Sequence, residues 1–411
     1  MRTWFILLFI SFNANAMTLD ETLSVAIDAF QLEGNLCEKQ PLPKPSFLTQ
    51  VGKIIFERPV LSGDKDTACA NCHLDNKALA DGLPLAIGVG GSGEGEERLT
   101  SGGAVVPRNA FTLFARGDER FNTFFWDGKV QSVDGIIFSP IGEGTLLGFD
   151  SALSVAAVLP LLARDEFLGT SKPFNTSRHV DLVESRYYID KVPAQNTFIQ
   201  ERLLETKDPD VINLLAALES ANLSKEELTL PLVGNALASF IRQKTREDCQ
   251  PSAWEKYITG DHSSLSKVQK EGALLFYGKA RCASCHSGDL MSDMSFHSIG
   301  VPQGNQGPHM FGQDLGRALV TLDTKDRYAF RTPSLVAVSK TAPYGHNGIF
   351  PTLEGMVKHH ISPIFYFRDL KISDQVILEN NEAIDSRSEL LRWIRVDENE
   401  LTKLLAFLNA L

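Results

Sequence analysis

Residues 67–75 read TACANCHLD and residues 281–289 read RCASCHSGD. Each places two cysteines three apart with a histidine directly after the second: Cys69, Cys72 and His73 in one, Cys282, Cys285 and His286 in the other, 213 positions further on. A bare C-x-x-C in an oxidising compartment forms a disulfide or exchanges thiols. A structural zinc site needs four ligands, brought as two C-x-x-C pairs, or one such pair and a histidine pair, close in sequence. Neither use explains a histidine after the second cysteine twice. C-x-x-C-H does, because the two thiols form thioethers to haem vinyl groups and the adjacent imidazole becomes the proximal iron ligand. The spacing predicts a diheme c-type cytochrome: two covalently bound haem c groups, with iron held by His73 and His286.

Such attachment suits an exported protein, and the start of the chain reads that way. In MRTWFILLFISFNANA, Arg2 gives a positive start, Trp4 to Phe12 an apolar run, and Ala14-Asn15-Ala16 a small-x-small cleavage signal. The run is too short to span a bilayer, and no later stretch is long or apolar enough. Residues 1–16 are therefore predicted to be a signal peptide, with the mature chain periplasmic and without stable membrane insertion. The formal charge of −11 becomes −12 once Arg2 leaves, so nucleic acid and anionic lipid are poor partners. Six cysteines less the four of the haem sites leave Cys37 and Cys249, which are expected to pair.

The attachment sites share a setting. VGKIIFERPVLSGDKDTACANCH and EGALLFYGKARCASCH each carry a G-x-x-[IL]-F helical turn, a loop and then the cysteines. Ser266 with Gln269, and Ser224 with Glu227, are spaced as capping boxes. Leu230, Val233, Leu237 and Ile241 share one helical face, as do Leu401, Leu404, Leu405 and Leu408 near the C-terminus. Strand-like alternation is scarce. The fold is predicted to be mainly α, two c-type cytochrome-like haem domains with a helical connector. The divisions are an N-terminal segment, 17–45, a first haem domain with the connector, 46–250, and a second haem domain, 251–411.

What a haem does depends on its sixth coordination position, filled for electron transfer and open for peroxide or oxygen chemistry. In FPTLEGMVKHHIS, a helix starting after Pro351 puts Leu353, Met356, Val357 and His360 on one face. His360 is thus a candidate sixth ligand for the second haem; His359 points about 100° away, and Met356, Met291 and Met294 remain rivals. Around the first haem no His or Met occurs between Leu74 and Phe125. That predicts an open face, with Lys77 a solvated surface cation.

Beyond the attachment sites, PRNAF, FFWDGKVQSVDG, LPLLARDEFLG, SFHSIGVP, FRTPSL and TAPYGHNGIFPTLE together resemble the bacterial diheme cytochrome c peroxidases and their relative MauG, over about residues 50 to 411. The resemblance implies that the N-terminal haem binds peroxide and the C-terminal haem transfers electrons, with Trp126 between them. It implies a calcium ion held by Asn109, Thr341 and Pro343, of which oxygen donors and main-chain carbonyls suit a hard cation. It places the second ligand of the C-terminal haem nineteen residues after Thr341, on His360, where other family members carry Met or Tyr. Arg108, Arg317 and Arg331 are similar to family arginines near haem propionates.

Two departures bear on activity. AIGVGG has Val89 where many peroxidases carry a histidine that blocks the reactive iron. The distal Gln and Glu of the family fall on Ile136 and Leu146, leaving Glu143 as the nearest carboxylate for moving a proton between peroxide oxygens. The expected activity is a periplasmic diheme peroxidase reducing hydrogen peroxide to water, fed by a small donor protein, a c-type cytochrome or cupredoxin. The alternatives are a MauG-like oxidase that modifies residues of a partner protein, and a non-enzymatic diheme electron carrier with neither haem open.

Overall fold

The computed structural model describes residues 17–39, 47–142, 146–169, 188–303, 313–363 and 380–411. The predicted signal peptide and Glu143 lie outside the described residues. The principal helices are α1 (Leu19–Ala29), α2 (Phe47–Glu57), α3 (Ala152–Val158), α4 (Pro209–Ser220), α5 (Leu230–Glu247), α6 (Lys267–Tyr277), α7 (Leu353–Ile361) and α8 (Glu398–Leu408). The chain is mainly helical. A small antiparallel sheet, β1 (Thr123–Phe124), β2 (Val130–Val133) and β3 (Ile136–Phe138), and a two-stranded ladder, β4 (Phe296–His297) with β5 (Phe330–Arg331), stand beside the helices.

The two haem domains are built on the same plan, for a reason visible in their glycines. A Cβ on Gly52 of α2 would sit 2.0 Å from the Ala236 carbonyl oxygen of α5, and one on Gly272 of α6 would sit 2.0 Å from that of Lys403 in α8. Only glycine lets each attachment helix press backbone to backbone on its partner. Helix α5, read from sequence as a connector, is therefore the inner helix of the first core, with Leu230, Val233, Leu237 and Ile241 all buried. In the second core Phe276, Tyr277 and Trp254 pack around Phe407.

Helix starts follow local chemistry. Ser266 and Gln269 cap α6, and Asp397 with Glu400 caps α8. The Ser224–Glu227 box forms too, but it closes a single 3-10 turn, Lys225–Glu227. Helix α5 begins separately after Thr229, because Pro231 is suited only to a first turn. On α8, Leu401, Leu404 and Leu408 are buried, whereas Leu405 is only half-buried.

Long-range contacts settle where the N-terminal segment goes. Leu23 of α1 is buried in the second core, and Asp20 accepts hydrogen bonds from the Tyr257 hydroxyl and Lys270 Nζ, each at 2.6 Å. Cys37 and Cys249 form a disulfide, with a Cα–Cα distance of 5.5 Å.

A polar seam joins the domains. Arg108 donates Nε and Nη2 to the two oxygens of Asp314 at 2.6 and 2.9 Å, and Nη1 to Asp127 at 2.6 Å. Arg317 donates to the Asp127 and Gly128 carbonyls and to Gln131. The resemblance implied haem propionates near both arginines; in the structure both tie the two haem domains together. The backbone N–H of Arg331 donates to the Trp126 carbonyl at 2.8 Å, and that of Asn109 to the His346 carbonyl at 2.8 Å.

Candidate haem sites

In both attachment loops the first cysteine opens a 3-10 turn, Cys69–Asn71 or Cys282–Ser284. The histidine N–H then donates back to the first cysteine, His73 to Cys69 at 3.0 Å and His286 to Cys282 at 2.9 Å. This turn brings two sulfurs and an imidazole to one side of the loop. His73 donates Nδ1–H to the Leu79 carbonyl at 2.8 Å, which Leu79 can present because Ala78 and Leu79 are in the left-handed region. His286 places Nδ1 3.2 Å from the Met291 carbonyl. A carbonyl can only accept, so the proton is on Nδ1 and Nε2 keeps its lone pair for a metal. Burial pushes both imidazoles down to about 4, the neutral form that ligates.

Helix α7 forms as the face argument required, with the Thr352 side chain accepting from Gly355 N–H as its N-cap. Its Leu353, Met356, Val357 and His360 line one largely apolar cavity together with Cys282, Cys285 and His286. His360 donates Nδ1–H to the Met356 carbonyl at 2.8 Å, so its Nε2 is also left for a ligand role, and burial holds its imidazole below the ordinary value. Arg387 donates to the His360 carbonyl and anchors the helix end. His359 is 0% exposed and uses Nε2 on the Ile299 carbonyl at 2.9 Å, a structural position. Met291 presents its carbonyl to the proximal His286, and its sulfur is 3.6 Å from the Tyr277 hydroxyl. Both contacts hold Met291 at the attachment loop rather than on the cavity wall that carries His360. Met294 places its sulfur 3.9 Å from Arg331 Nη1.

Around the first site, buried Arg98 stitches loop 86–93 to the attachment loop, donating to the carbonyls of Ile87, Gly88 and Gly93 and to the Thr67 hydroxyl. Val89 within that loop is buried, its N–H on the Asp165 carbonyl and its carbonyl accepting from Ala104 N–H. Cys69 and Cys72 are half-buried, and desolvation pushes their free thiols up to about 12. Glu166, on a π-turn over Arg164–Leu168, lies close enough to influence both sulfurs, and burial raises its carboxyl against the opposing pull of Lys129. Sequence reading passed over Glu166 because nothing in ARDEFLG marks it apart from a surface carboxylate. Lys77 is exposed, as expected.

The remaining candidates fall at the seam. Trp126 is buried, donates Nε1–H to the Asn109 carbonyl at 3.0 Å, and lines the same cavity as His286. Asn109 spends its amide N–H groups on the Leu83 and Pro84 carbonyls, which leaves Oδ1 as its oxygen for a cation. Thr341 and Pro343 line that cavity too. Burial alone would raise the Asp127 and Asp314 carboxyls, but the Arg108 guanidinium outweighs it and both stay below the usual carboxylate range. The 2.8 Å contact with the Asp293 carboxylate favours the charged form of His297 and raises its imidazole.

The sites fit covalent haem. Each has two sulfurs and a neutral imidazole with Nε2 free, and the second has an apolar cavity with another such imidazole on its wall. Two buried guanidinium groups at that cavity, Arg116 and Arg331, have nitrogens that meet no partner among the described residues, as haem carboxylates would require. Arg116 escaped sequence reading because FARGDERF looks like an exposed charge run.

The comparisons with known proteins agree. Cytochrome c peroxidase Ccp of Escherichia coli is 28% identical over 320 residues, 78% of this chain but only 54% of that protein's length. Cytochrome-c peroxidase IdrP2 of Denitromonas iodatirespirans is 27% identical over 346 residues, covering 78% of this chain and 76% of its own. Methylamine utilization protein MauG of Methylorubrum extorquens is 28% identical over 380 residues, covering 91% and 82%. Among solved structures, the diheme peroxidase BthA from Burkholderia thailandensis superposes with a TM-score of 0.62 at 19% identity, covering 90% of this chain and 86% of its own. A MauG-like protein associated with microbial copper homeostasis gives 0.58 at 22% identity, covering 90% of each. These two share the fold. The family model for di-haem cytochrome c peroxidase matches residues 47–263, more than half of the chain, and the protein belongs to that family of haem c oxidoreductases.

Proposed function

We propose that this protein is a periplasmic peroxidase that reduces hydrogen peroxide to water with electrons from a small c-type cytochrome or cupredoxin. The observation that carries the reading is the asymmetry of the two sites. His360 stands in the cavity of His286 with Nε2 free, whereas at the first site the loop position of Val89 offers only an aliphatic side chain. The haems supply the redox chemistry when bound. His73 holds the peroxide-binding iron, and His286 and His360 hold the electron-entry iron. Trp126, bonded through its backbone to Arg331 and through its indole to Asn109, bridges the seam between them. Glu143 is proposed as the carboxylate that moves a proton between peroxide oxygens, and Asn109, Thr341 and Pro343 as oxygen donors to calcium.

A second reading is a MauG-like oxidase that modifies residues of a partner protein. The same Val89 and the non-Met His360 favour it, since a site that needs no prior reduction can accept oxidising equivalents from peroxide and hold them. Stopped-flow mixing of the diferric protein with peroxide, with and without a reduced small cytochrome, separates the two. Turnover with the cytochrome supports the peroxidase. Retention of both oxidising equivalents without donor oxidation supports the MauG-like role. Two low-spin irons and no reaction with peroxide would sink both and return the electron-carrier reading.

A further inference from the structure

Arg116 and Arg331 form a buried pair of like charges drawn from different haem domains. They are 3% and 1% exposed, and the charge of Arg331 lies close enough to act on Arg116. Among the described residues neither meets a carboxylate. Arg116 donates Nε to the Thr112 carbonyl at 3.0 Å, and its guanidinium lies over Phe121 and Phe111 at 4.0 and 4.6 Å. Arg331 donates Nε to the Phe125 carbonyl at 3.1 Å and Nη1 to the Thr332 carbonyl at 2.9 Å, and lies 5.2 Å from the Phe121 ring. Nη1 of Arg116 and Nη2 of Arg331 are buried with no partner among the described residues.

Four acids of these domains with buried side chains are paired with other arginines. Asp118 and Asp289 take Arg120, while Asp127 and Asp314 take Arg108. Two guanidinium groups left together in a low-dielectric interior require an anion, since their repulsion and desolvation are otherwise uncompensated. Both side chains line the cavity that holds Cys282, Cys285 and His286. A haem fixed there brings its own carboxylates, and a guanidinium fork matches a carboxylate in two parallel hydrogen bonds.

We propose that Arg116 joins Arg331, for which the resemblance already implies a nearby propionate, in clamping a propionate of the haem attached at Cys282 and Cys285, so that a cation from the first domain completes the haem site of the second. Arg116 also reaches towards the first haem: its guanidinium lies on Phe111, whose ring is 6.3 Å from that of His73. It is therefore a positioning residue for one cofactor and a fixed positive charge near both. The inference rests on the second haem being present and stands whether the protein is a peroxidase or a MauG-like oxidase.

The test uses the two-haem protein and the variants Arg116→Leu and Arg116→Lys. Mass spectrometry confirms haem content, and a spectroscopic redox titration gives the midpoint potential of each haem. Removing a positive charge favours the ferric state, so Arg116→Leu should shift the C-terminal haem potential downwards, and the N-terminal one less. Arg116→Lys should restore most of that shift while still altering the propionate bending bands in the resonance Raman spectrum, because lysine cannot form the fork. If Arg116→Leu fails to hold haem, the Raman bands of Arg116→Lys alone decide. Unchanged propionate bands in Arg116→Lys, or unchanged potentials in a two-haem Arg116→Leu, would overturn the proposal. So would a wild-type potential that follows added inorganic phosphate, which would mark the pair as a site for a free anion.

Discussion

Gly52 and Gly272 occupy matching places in the two halves of the molecule, each with a main-chain carbonyl 2.0 Å from where a Cβ would stand. The contact sets the distance between each attachment helix and its partner, and through the following loop the position of the C-x-x-C-H turn. Replacing either glycine by alanine forces those helices apart, at a cost of about 1–3 kcal/mol or more. Gly52→Ala should disturb the spectrum of the first haem and Gly272→Ala that of the second, with lowered denaturation midpoints in both. A Gly52→Ala protein as stable as wild type would show that the helices can separate freely.

Arg108 bridges Asp127 and Asp314 across the seam, and Arg108→Met leaves two buried carboxylates without their cation. The expected destabilisation is about 3–5 kcal/mol, read by guanidinium denaturation. Both carboxyls are depressed in the folded protein, so their contribution is present above the unfolded value of 3.8 and is lost as pH falls below it. Wild type should therefore lose stability on acidification through this range, and Arg108→Met should show a shallower loss.

Cys37 and Cys249 are 212 residues apart in sequence, and a cross-link over so long a loop stabilises by about 5 kcal/mol in the chain-entropy model. Alkylation of unreduced, unfolded protein should find neither thiol. Reduction, or Cys249→Ser, should lower the melting temperature while leaving haem content at two. Modification of both thiols without prior reduction would rule the bond out.

His360 and Met356 share one face of α7, and their exchange separates ligand from packing. His360→Met should keep the fold, change the low-spin spectrum and raise the C-terminal haem potential, since His/Met ligation lies above bis-His. Met356→Leu should do much less. His359→Leu should lower stability through the lost bond to Ile299 without altering the spectrum. If Met356→Leu moves the potential and His360→Met does not, the ligand assignment fails.

Much of this was legible in the sequence because the chemistry is local. Two thiols and an imidazole within five positions specify haem attachment wherever the loop lies, and a capping box or an apolar face is read within one or two helical turns. His360 belongs to this class: its face is fixed by its spacing from Met356, and the folded helix turns that face to the cavity of His286. The Ser224 box marks the limit, since local spacing gave a real cap but Pro231 decided that the long helix starts later.

What only the tertiary structure decided are pairings between residues about two hundred positions apart. Nothing in PRNAF says that Arg108 meets Asp314, and nothing in FARGDERF marks Arg116 as buried near Arg331. The docking of α1 on the second core and the glycine contacts of α2 and α6 are of the same kind. Local spacing constrains neighbours along one element, because backbone geometry repeats. Contacts between elements depend on which faces are left to bury and which charges are left to neutralise once every element has formed.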